Sequence, residues 1–186
     1  MVRFRHLIGL GEGAAPPPGV DPLADELGAL LAREGLTVSV AESCTGGLLG
    51  SLITDRPGSS VYFMGGVIAY ADQVKRDELG VPAALLTRHG AVSREVALAM
   101  AEGVRARFGT SLAASTTGIA GPDSDGSNKP VGLTYIAIVS EWGSRCEQYM
   151  FSGNRWANRR QAAEQALHLL IEDVRAGAGR QRKQPA

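Results

Sequence analysis

The spacing of apolar residues predicts a helix near the start of the chain. The pair Asp21-Pro22 is typical of a helix N-terminus, because aspartate caps the free amides and proline fits the first helical turn. Leucines then recur at the spacing of one helical face, at Leu23, Leu27, Leu30 and Leu31. Gly35 follows and ends the helix.

The same patterns predict alternating strands and helices over the rest of the chain. The predicted strands are 37–41, 65–70, 112–116, 131–139 and 145–151, and the further helices are 46–54, 72–79, 93–108 and 154 to about 174. We therefore expect a single α/β domain with three layers, in which a mixed sheet lies between helices. The domain should span 21–175, with a flexible leader at 1–20 and a basic, disordered tail at 176–186.

Composition removes several classes of function. Lys+Arg and Asp+Glu both number 19, so the charge gives no support for direct nucleic-acid binding. No apolar run reaches the ~18 residues of a membrane helix, so we expect a cytoplasmic protein without a membrane partner. The two cysteines, Cys44 and Cys146, and the three scattered histidines form no metal-ligand motif, so no structural zinc site is expected. Apolar helix faces make a homo-oligomer the expected assembly.

The first candidate segment is 41–47, Ala-Glu-Ser-Cys-Thr-Gly-Gly, where a strand changes into a helix across Ser43. The serine hydroxyl could be a nucleophile presented at the strand end. The amides of Thr45, Gly46 and Gly47 would then be free at the helix start to hold an oxyanion or a phosphate. Alternatively, Ser43 is simply the N-cap of that helix.

The second candidate segment is 70–75, Tyr-Ala-Asp-Gln-Val-Lys. A serine nucleophile needs a base, and no Ser-His-Asp set is evident. Lys75 could serve if it is neutral, as in Ser-Lys variants of the catalytic triad, and Tyr70 could orient or relay a proton. The alternatives are that Lys75 is a surface lysine and that Asp72 caps the helix.

Two further segments could contact a ligand. Gly118 and Gly121 lie in a long loop between strands and would allow close approach to its backbone, although the loop could equally be a mobile connection. Arg155, Arg159 and Arg160 cluster in the first turns of the last helix and could bind phosphate, or could line a solvated face.

These segments together resemble the C-terminal domain of the CinA family, the competence/damage-inducible proteins, over about 22–173. The matching motifs are AESCTGG at 41–47, GSS at 58–60, Tyr70 with Lys75, HGAVS at 89–93, GIAGP at 118–122, KPVG at 129–132 and FSGNR at 151–155. AESCTGG and GIAGP are the most specific of these.

The resemblance implies an amidase that hydrolyses nicotinamide mononucleotide to nicotinic acid mononucleotide and ammonia, a step of pyridine-nucleotide recycling. It implies no metal or cofactor. By position, Ser43 would be the nucleophile and Lys75 the base, with Tyr70 assisting. The substrate would contact Thr45 and Gly46, the loop residues Thr117, Gly118, Ala120 and Gly121, and Arg155 through its phosphate.

One departure from the family pattern affects the proposed base. The family commonly has Tyr-Ser-Asn-x-x-Lys, whereas this chain has Ala71 and Asp72 between its Tyr and Lys. A carboxylate at Asp72 would favour the charged ammonium of Lys75 and so oppose its action as a base. Two other readings stay open: a nucleotide-binding module without turnover, linked to competence or DNA damage, and a structural homo-oligomer with a vestigial site.

Overall fold

The computed structural model describes residues 19–124 and 126–181, and the predicted leader lies outside this part except for its last two residues. The helices are α1 (Pro22–Glu34), α2 (Leu48–Thr54), α3 (Asp72–Leu79), α4 (Ala83–His89), α5 (Arg94–Phe108) and α6 (Arg155–Gln181), with a 3-10 turn at Ser59–Val61. The strands are β1 (Val38–Glu42), β2 (Phe63–Ile68), β3 (Leu112–Gly118), β4 (Leu133–Ser140) and β5 (Gly143–Met150).

The five strands form one mixed sheet in the order β2-β1-β3-β4-β5. The central strand β1 is parallel to both β2 and β3, while β4 and β5 continue as antiparallel neighbours. The carboxyl ends of β1, β2 and β3 therefore meet at one edge of the sheet. In such sheets, ligands commonly bind beyond that edge.

Helices cover both faces of the sheet, which confirms the predicted three-layer α/β fold. Leucines of α1, α2 and α6 pack with Val38 and Val40 of β1 in one core. On the other face, Ala41 packs against α3 and α5 together with Val96 and Met100. Strand β1 is buried along its whole length because both faces are covered, as is usual for a central parallel strand.

The last helix is longer than predicted. Helix α6 continues to Gln181, so 176–181 is helical rather than part of a disordered tail. Gly177 lies against the Trp142 indole, where a Cβ atom would come within 2.5 Å of the ring, and Ala178 is buried. Packing on a distant tryptophan thus extends a helix whose local sequence, rich in glycine, suggests fraying.

Helix α4 was not predicted. It lies between Pro82 and Gly90, in a stretch where Gly80 and Pro82 indicate a break in the chain. Pro82 is in fact the residue that precedes the first helical turn, a position where its missing N–H costs nothing. None of the helices in the described residues combines the length and apolarity needed to cross a membrane.

Candidate active site

Ser43 lies directly beyond the carboxyl end of β1, in the middle of the sheet edge. Its amide donates to the Thr116 carbonyl of β3 at 2.9 Å, and the Glu42 carbonyl accepts from the Ala69 amide, just after β2, at 2.8 Å. Since the parallel ladder continues through Ser43, strand alternation directs its side chain to the face where Ala41 packs against α5. Ser43 is 9% exposed.

Ser43 does not cap α2. The residue preceding that helix is Gly47, and the carboxylate of Glu42 accepts from the amides of Gly47, Leu49 and Gly50 at 2.9, 3.0 and 2.8 Å. The buried Glu42 carboxylate thus caps the helix, as the alternative interpretation of the sequence expected of Ser43. This contradicts the capping alternative and leaves the Ser43 hydroxyl without a hydrogen-bond partner among the described residues.

The free amides after Ser43 are not the three that the sequence predicts. Gly46 donates to the Ser43 carbonyl at 3.1 Å, and the Gly47 amide is held by Glu42. The amides of Cys44 and Thr45 donate to no oxygen of the described residues. The candidate oxyanion donors are therefore the amides of the two residues that directly follow the serine.

Glu42 can be tested as the residue that fixes this loop. We expect Glu42→Gln to lower the free energy of unfolding by about 1.5–3 kcal/mol, because hydrogen bonds to a charged acceptor are lost and an amide NH₂ then faces backbone donors. Urea unfolding measures the change. Glu102→Gln, an exposed carboxylate on α5, should shift stability by under ~0.5 kcal/mol. Equal shifts would contradict the capping role.

Cys44 is the neighbouring side chain that could compete with Ser43 as a nucleophile. Burial raises the pKa of the Cys44 thiol to about 12, because the charged thiolate would be cut off from water. Since the thiolate is the reactive form, a thiol that stays protonated at neutral pH is a poor nucleophile. Ser43 is therefore the better candidate of the two.

Lys75 is buried, which contradicts the alternative of a surface lysine. It is 1% exposed, and its ammonium donates to the Tyr70 carbonyl and to the Asp72 carboxylate, both at 3.1 Å. Ser43 is not among its hydrogen-bond partners. Tyr70 follows β2 and Ser43 follows β1, so the lysine lies one strand away from the serine at the same edge of the sheet.

Asp72 pairs with Lys75 instead of capping α3. The residue before the helix is Ala71, and no side chain caps it, while Asp72 is already within the first turn. Its carboxylate is 59% exposed and so faces water as well as the ammonium. The contact that the sequence suggested between this carboxylate and the lysine is thus present.

Arg155 connects two parts of the site that are distant in sequence. One nitrogen of its guanidinium donates to the Gly121 carbonyl at 2.8 Å, and another donates to the Tyr70 hydroxyl at 3.0 Å. The Tyr70 ring is 59% exposed above the sheet edge. Tyr70, Arg155 and Gly121 therefore form one hydrogen-bonded chain across the top of the site.

The described part of the loop after β3 is anchored at several points. Lys129 donates to the carbonyls of His89 and Val92, both at 2.6 Å, and the Ala120 carbonyl accepts from Asn158 at 3.1 Å. These contacts favour a fixed wall over a mobile connection. Lys129 and Asn158 were not singled out by the sequence, because their partners are distant backbone carbonyls.

Thr117 and Gly118 have internal roles in the structure. The Thr117 hydroxyl donates to the Ala91 carbonyl at 2.8 Å, so it joins β3 to the segment between α4 and α5. A Cβ atom at Gly118 would come within 2.5 Å of the Thr134 hydroxyl oxygen, so close packing against β4 requires glycine there. Any contact of these two residues with a ligand stays a prediction.

The three arginines at the start of α6 have different partners. Arg159 donates to the Thr45 carbonyl through two nitrogens, at 2.7 and 3.3 Å, and its guanidinium lies 5.3 Å from the centroid of the Trp156 ring. Arg160 instead pairs with Asp21 and Glu164, away from the site. Only Arg155 and Arg159 are therefore placed to meet a ligand.

No group of three or more histidine, cysteine, aspartate or glutamate side chains within 19–124 and 126–181 is close enough to share a metal ion. The chemistry available at the sheet edge is that of a hydroxyl, a buried amine, free amides and two guanidinium groups.

Comparison with known proteins places the chain in a family. Residues 20–174 match the family described as CinA C-terminal domain, which is nearly the whole of the described fold. The chain therefore belongs to the CinA C-terminal domain family.

Relatives and solved structures agree with this membership. A CinA-like protein of Gemmatimonas aurantiaca is 52% identical over 159 residues, which cover 83% of this chain and 37% of the relative. A CinA-like protein of Geobacter sulfurreducens is 49% identical over 141 residues, or 76% and 34% of the two proteins. The chain thus spans about a third of the length of these relatives.

The crystal structure of the competence/damage inducible protein CihA from Agrobacterium tumefaciens has a TM-score of 0.80 to this fold at 37% identity, covering 86% of this chain and 98% of that one. A CinA superfamily protein from Klebsiella pneumoniae has a TM-score of 0.81 at 28% identity, covering 83% and 96%.

Proposed function

We propose that this protein is an amidohydrolase that converts nicotinamide mononucleotide to nicotinic acid mononucleotide and ammonia. The observation that carries the proposal is the combination of three features at one sheet edge: a Ser43 hydroxyl without a partner among the described residues, a buried Lys75 amine one strand away, and Cys44 and Thr45 amides that donate to no oxygen of these residues. These are the nucleophile, the base and the oxyanion donors that acyl transfer requires.

In the first half of the reaction, neutral Lys75 removes the proton of the Ser43 hydroxyl, whose oxygen attacks the carboxamide carbon. The amides of Cys44 and Thr45 donate to the oxyanion as it forms. The Lys75 ammonium then gives its proton to the amide nitrogen, which leaves as ammonia. An ester between Ser43 and the nicotinoyl group remains.

In the second half, a water molecule attacks this ester while Lys75 again takes the proton. The tetrahedral intermediate collapses, Ser43 recovers its proton from Lys75, and the free carboxylate leaves. Lys75 has to exchange its hydrogen bond with Asp72 for one with Ser43, a rearrangement that accompanies substrate binding in many enzymes. Tyr70 and Arg155 hold the substrate, and the Arg155 guanidinium binds the phosphate of the mononucleotide.

The direct test is ammonia release from nicotinamide mononucleotide by the purified protein, with nicotinamide, its riboside and the dinucleotide as comparison substrates. We expect turnover with the mononucleotide and loss of the carboxamide in the product by mass spectrometry. A protein that binds the nucleotide and releases no ammonia would instead be a nucleotide-binding module without turnover, and the proposal would be wrong.

Asp72 should restrain this activity. We expect Asp72→Asn to raise kcat/KM at neutral pH by up to about fivefold, because Lys75 then no longer has to leave a carboxylate to reach Ser43. The Asp72 carboxylate is 59% exposed, so this contact is worth only ~0.2–1 kcal/mol. The measurement is the pH–rate profile of both proteins. Asp77→Asn, a carboxylate further along the same helix, is the control. A lower rate in Asp72→Asn would show that the carboxylate helps the reaction.

A further inference from the structure

Trp156 is the most exposed of the large hydrophobic side chains in the described residues. It is the second residue of α6, and it is 74% accessible to solvent. A single exposed aromatic residue needs no explanation by itself. The residues around Trp156, however, suggest a ligand contact.

Arg159 links the Trp156 indole to the candidate active site. Arg159 lies against it, 5.3 Å from guanidinium carbon to ring centroid, and the same guanidinium donates twice to the Thr45 carbonyl. The ring is therefore tied to a residue two positions beyond Ser43. Since Arg159 covers one face of the indole and the residue stays mostly exposed, the opposite face is open to a ligand.

The charge around Trp156 indicates what kind of ligand fits. The Arg159 guanidinium lies beside the open aromatic ring, while the Arg155 guanidinium lies between Gly121 and Tyr70 at the site. Neither arginine has an acidic side chain as its hydrogen-bond partner in the described part of the chain. Guanidinium groups favour phosphates, and an open indole favours stacking with a flat aromatic ring. A nucleotide combines the two features.

The position of Ser43 decides which part of a nucleotide can reach the tryptophan. Ser43 is 9% exposed, so a carboxamide under attack must sit deep at the sheet edge with its own ring beside it. Trp156 projects into solvent at the start of α6. A ring stacked on it fits the role of a second base, on the far side of the phosphates from the carboxamide.

We propose that Trp156 and Arg159 form a subsite for the second base and the phosphates of a dinucleotide or an adenine nucleotide. This subsite rests on the proposed function of the same site, because it orients the ligand by its reacting carboxamide. Trp156 determines specificity in this scheme and takes no part in the chemistry.

The first experiment compares substrates. Trp156→Ala should raise KM for nicotinamide adenine dinucleotide about 5- to 150-fold, the loss expected for ~1–3 kcal/mol of stacking, with kcat unchanged. KM for the mononucleotide should stay within twofold. Trp156→Phe should recover most of the affinity, and Val61→Ala, an exposed apolar residue of the 3-10 turn, is the control.

The second experiment does not depend on turnover. Adenosine monophosphate carries a base and a phosphate but no carboxamide, so calorimetric titration with it reads the subsite alone. We expect binding to the native protein and at least about fivefold weaker binding to Trp156→Ala. If this difference appears without any amidase activity, the subsite stands and the proposed function fails.

Three results would overturn the subsite. One is no binding of adenosine monophosphate to the native protein, and another is binding that Trp156→Ala leaves unchanged. The third is an oligomer in sedimentation velocity that Trp156→Ala dissociates, which would make the indole a contact with a second copy of the chain.

Discussion

Replacing Ser43 with alanine should reduce kcat for nicotinamide mononucleotide by at least about 10³-fold, because the nucleophile is lost while the amides and the binding contacts remain. The fold should be unaffected, since the Ser43 hydroxyl supports no hydrogen bond among the described residues. KM should change little. Steady-state ammonia release and urea unfolding measure the two expectations.

Ser51→Ala is the matched control for this change. Ser51 is an exposed serine on α2, the helix that follows the Ser43 loop, and it should keep full turnover. Ser43→Cys adds a second check, because a thiol at this position could form a thioester that accumulates and is visible by mass spectrometry. A Ser43→Ala protein within tenfold of the native rate would exclude Ser43 as the nucleophile.

Apart from α4, the order of strands and helices, and the position of Ser43 within it, could be predicted because both depend on short-range patterns. The β-branched run before Ser43 ends at Glu42, and two glycines follow it at Gly46 and Gly47. Both glycines have positive φ values of 60° and 96°, a conformation that other residues rarely adopt. A turn between strand and helix at this point was therefore evident from residue types alone.

The use of the backbone amides could not be predicted in the same way. The sequence suggested that Ser43 or a ligand would take the amides at the start of α2. Glu42, on the other side of the serine, instead takes the Gly47 amide and those of Leu49 and Gly50 in the first helical turn. Common capping patterns place the acceptor directly before the helix or three residues into it. Glu42 lies five to eight residues from its donors and matches neither pattern.

The roles of the arginines on α6 were open for a related reason. Arg155 and Arg159 are four residues apart and share one helix face, whereas Arg160 lies on a neighbouring face. The sequence does not say which of these faces meets the site. Their partners come from segments far away in the chain: Tyr70 and Gly121 for Arg155, Thr45 for Arg159, and the N-cap of α1 for Arg160. Only the tertiary fold decides which of them faces the site.

Replacing Lys75 with methionine should lower kcat by about 10²–10⁴-fold, the range in which a positioned acid–base group contributes. Methionine fills the buried stem position without an amine. Stability should stay near that of the native protein, because two effects oppose each other. Methionine avoids the cost of keeping an ammonium away from water, and the Asp72 carboxylate, which is 59% exposed, stays hydrated without its partner. Against this, the Tyr70 carbonyl loses a donor at a cost of ~1–3 kcal/mol.

Lys129→Met provides the comparison that separates catalysis from structure. Lys129 is also held by backbone carbonyls, those of His89 and Val92, but it is not proposed as a base. Removing the Lys129 amine should lower the free energy of unfolding and raise KM, while kcat stays within threefold.

Lys75→Ala, in contrast, leaves a space for small primary amines. Added ethylamine should restore part of the rate, in proportion to the fraction of the ethylamine that is neutral. Equal effects of the two methionine variants on kcat, or no rescue by amines, would show that Lys75 supports the site without acting as its base.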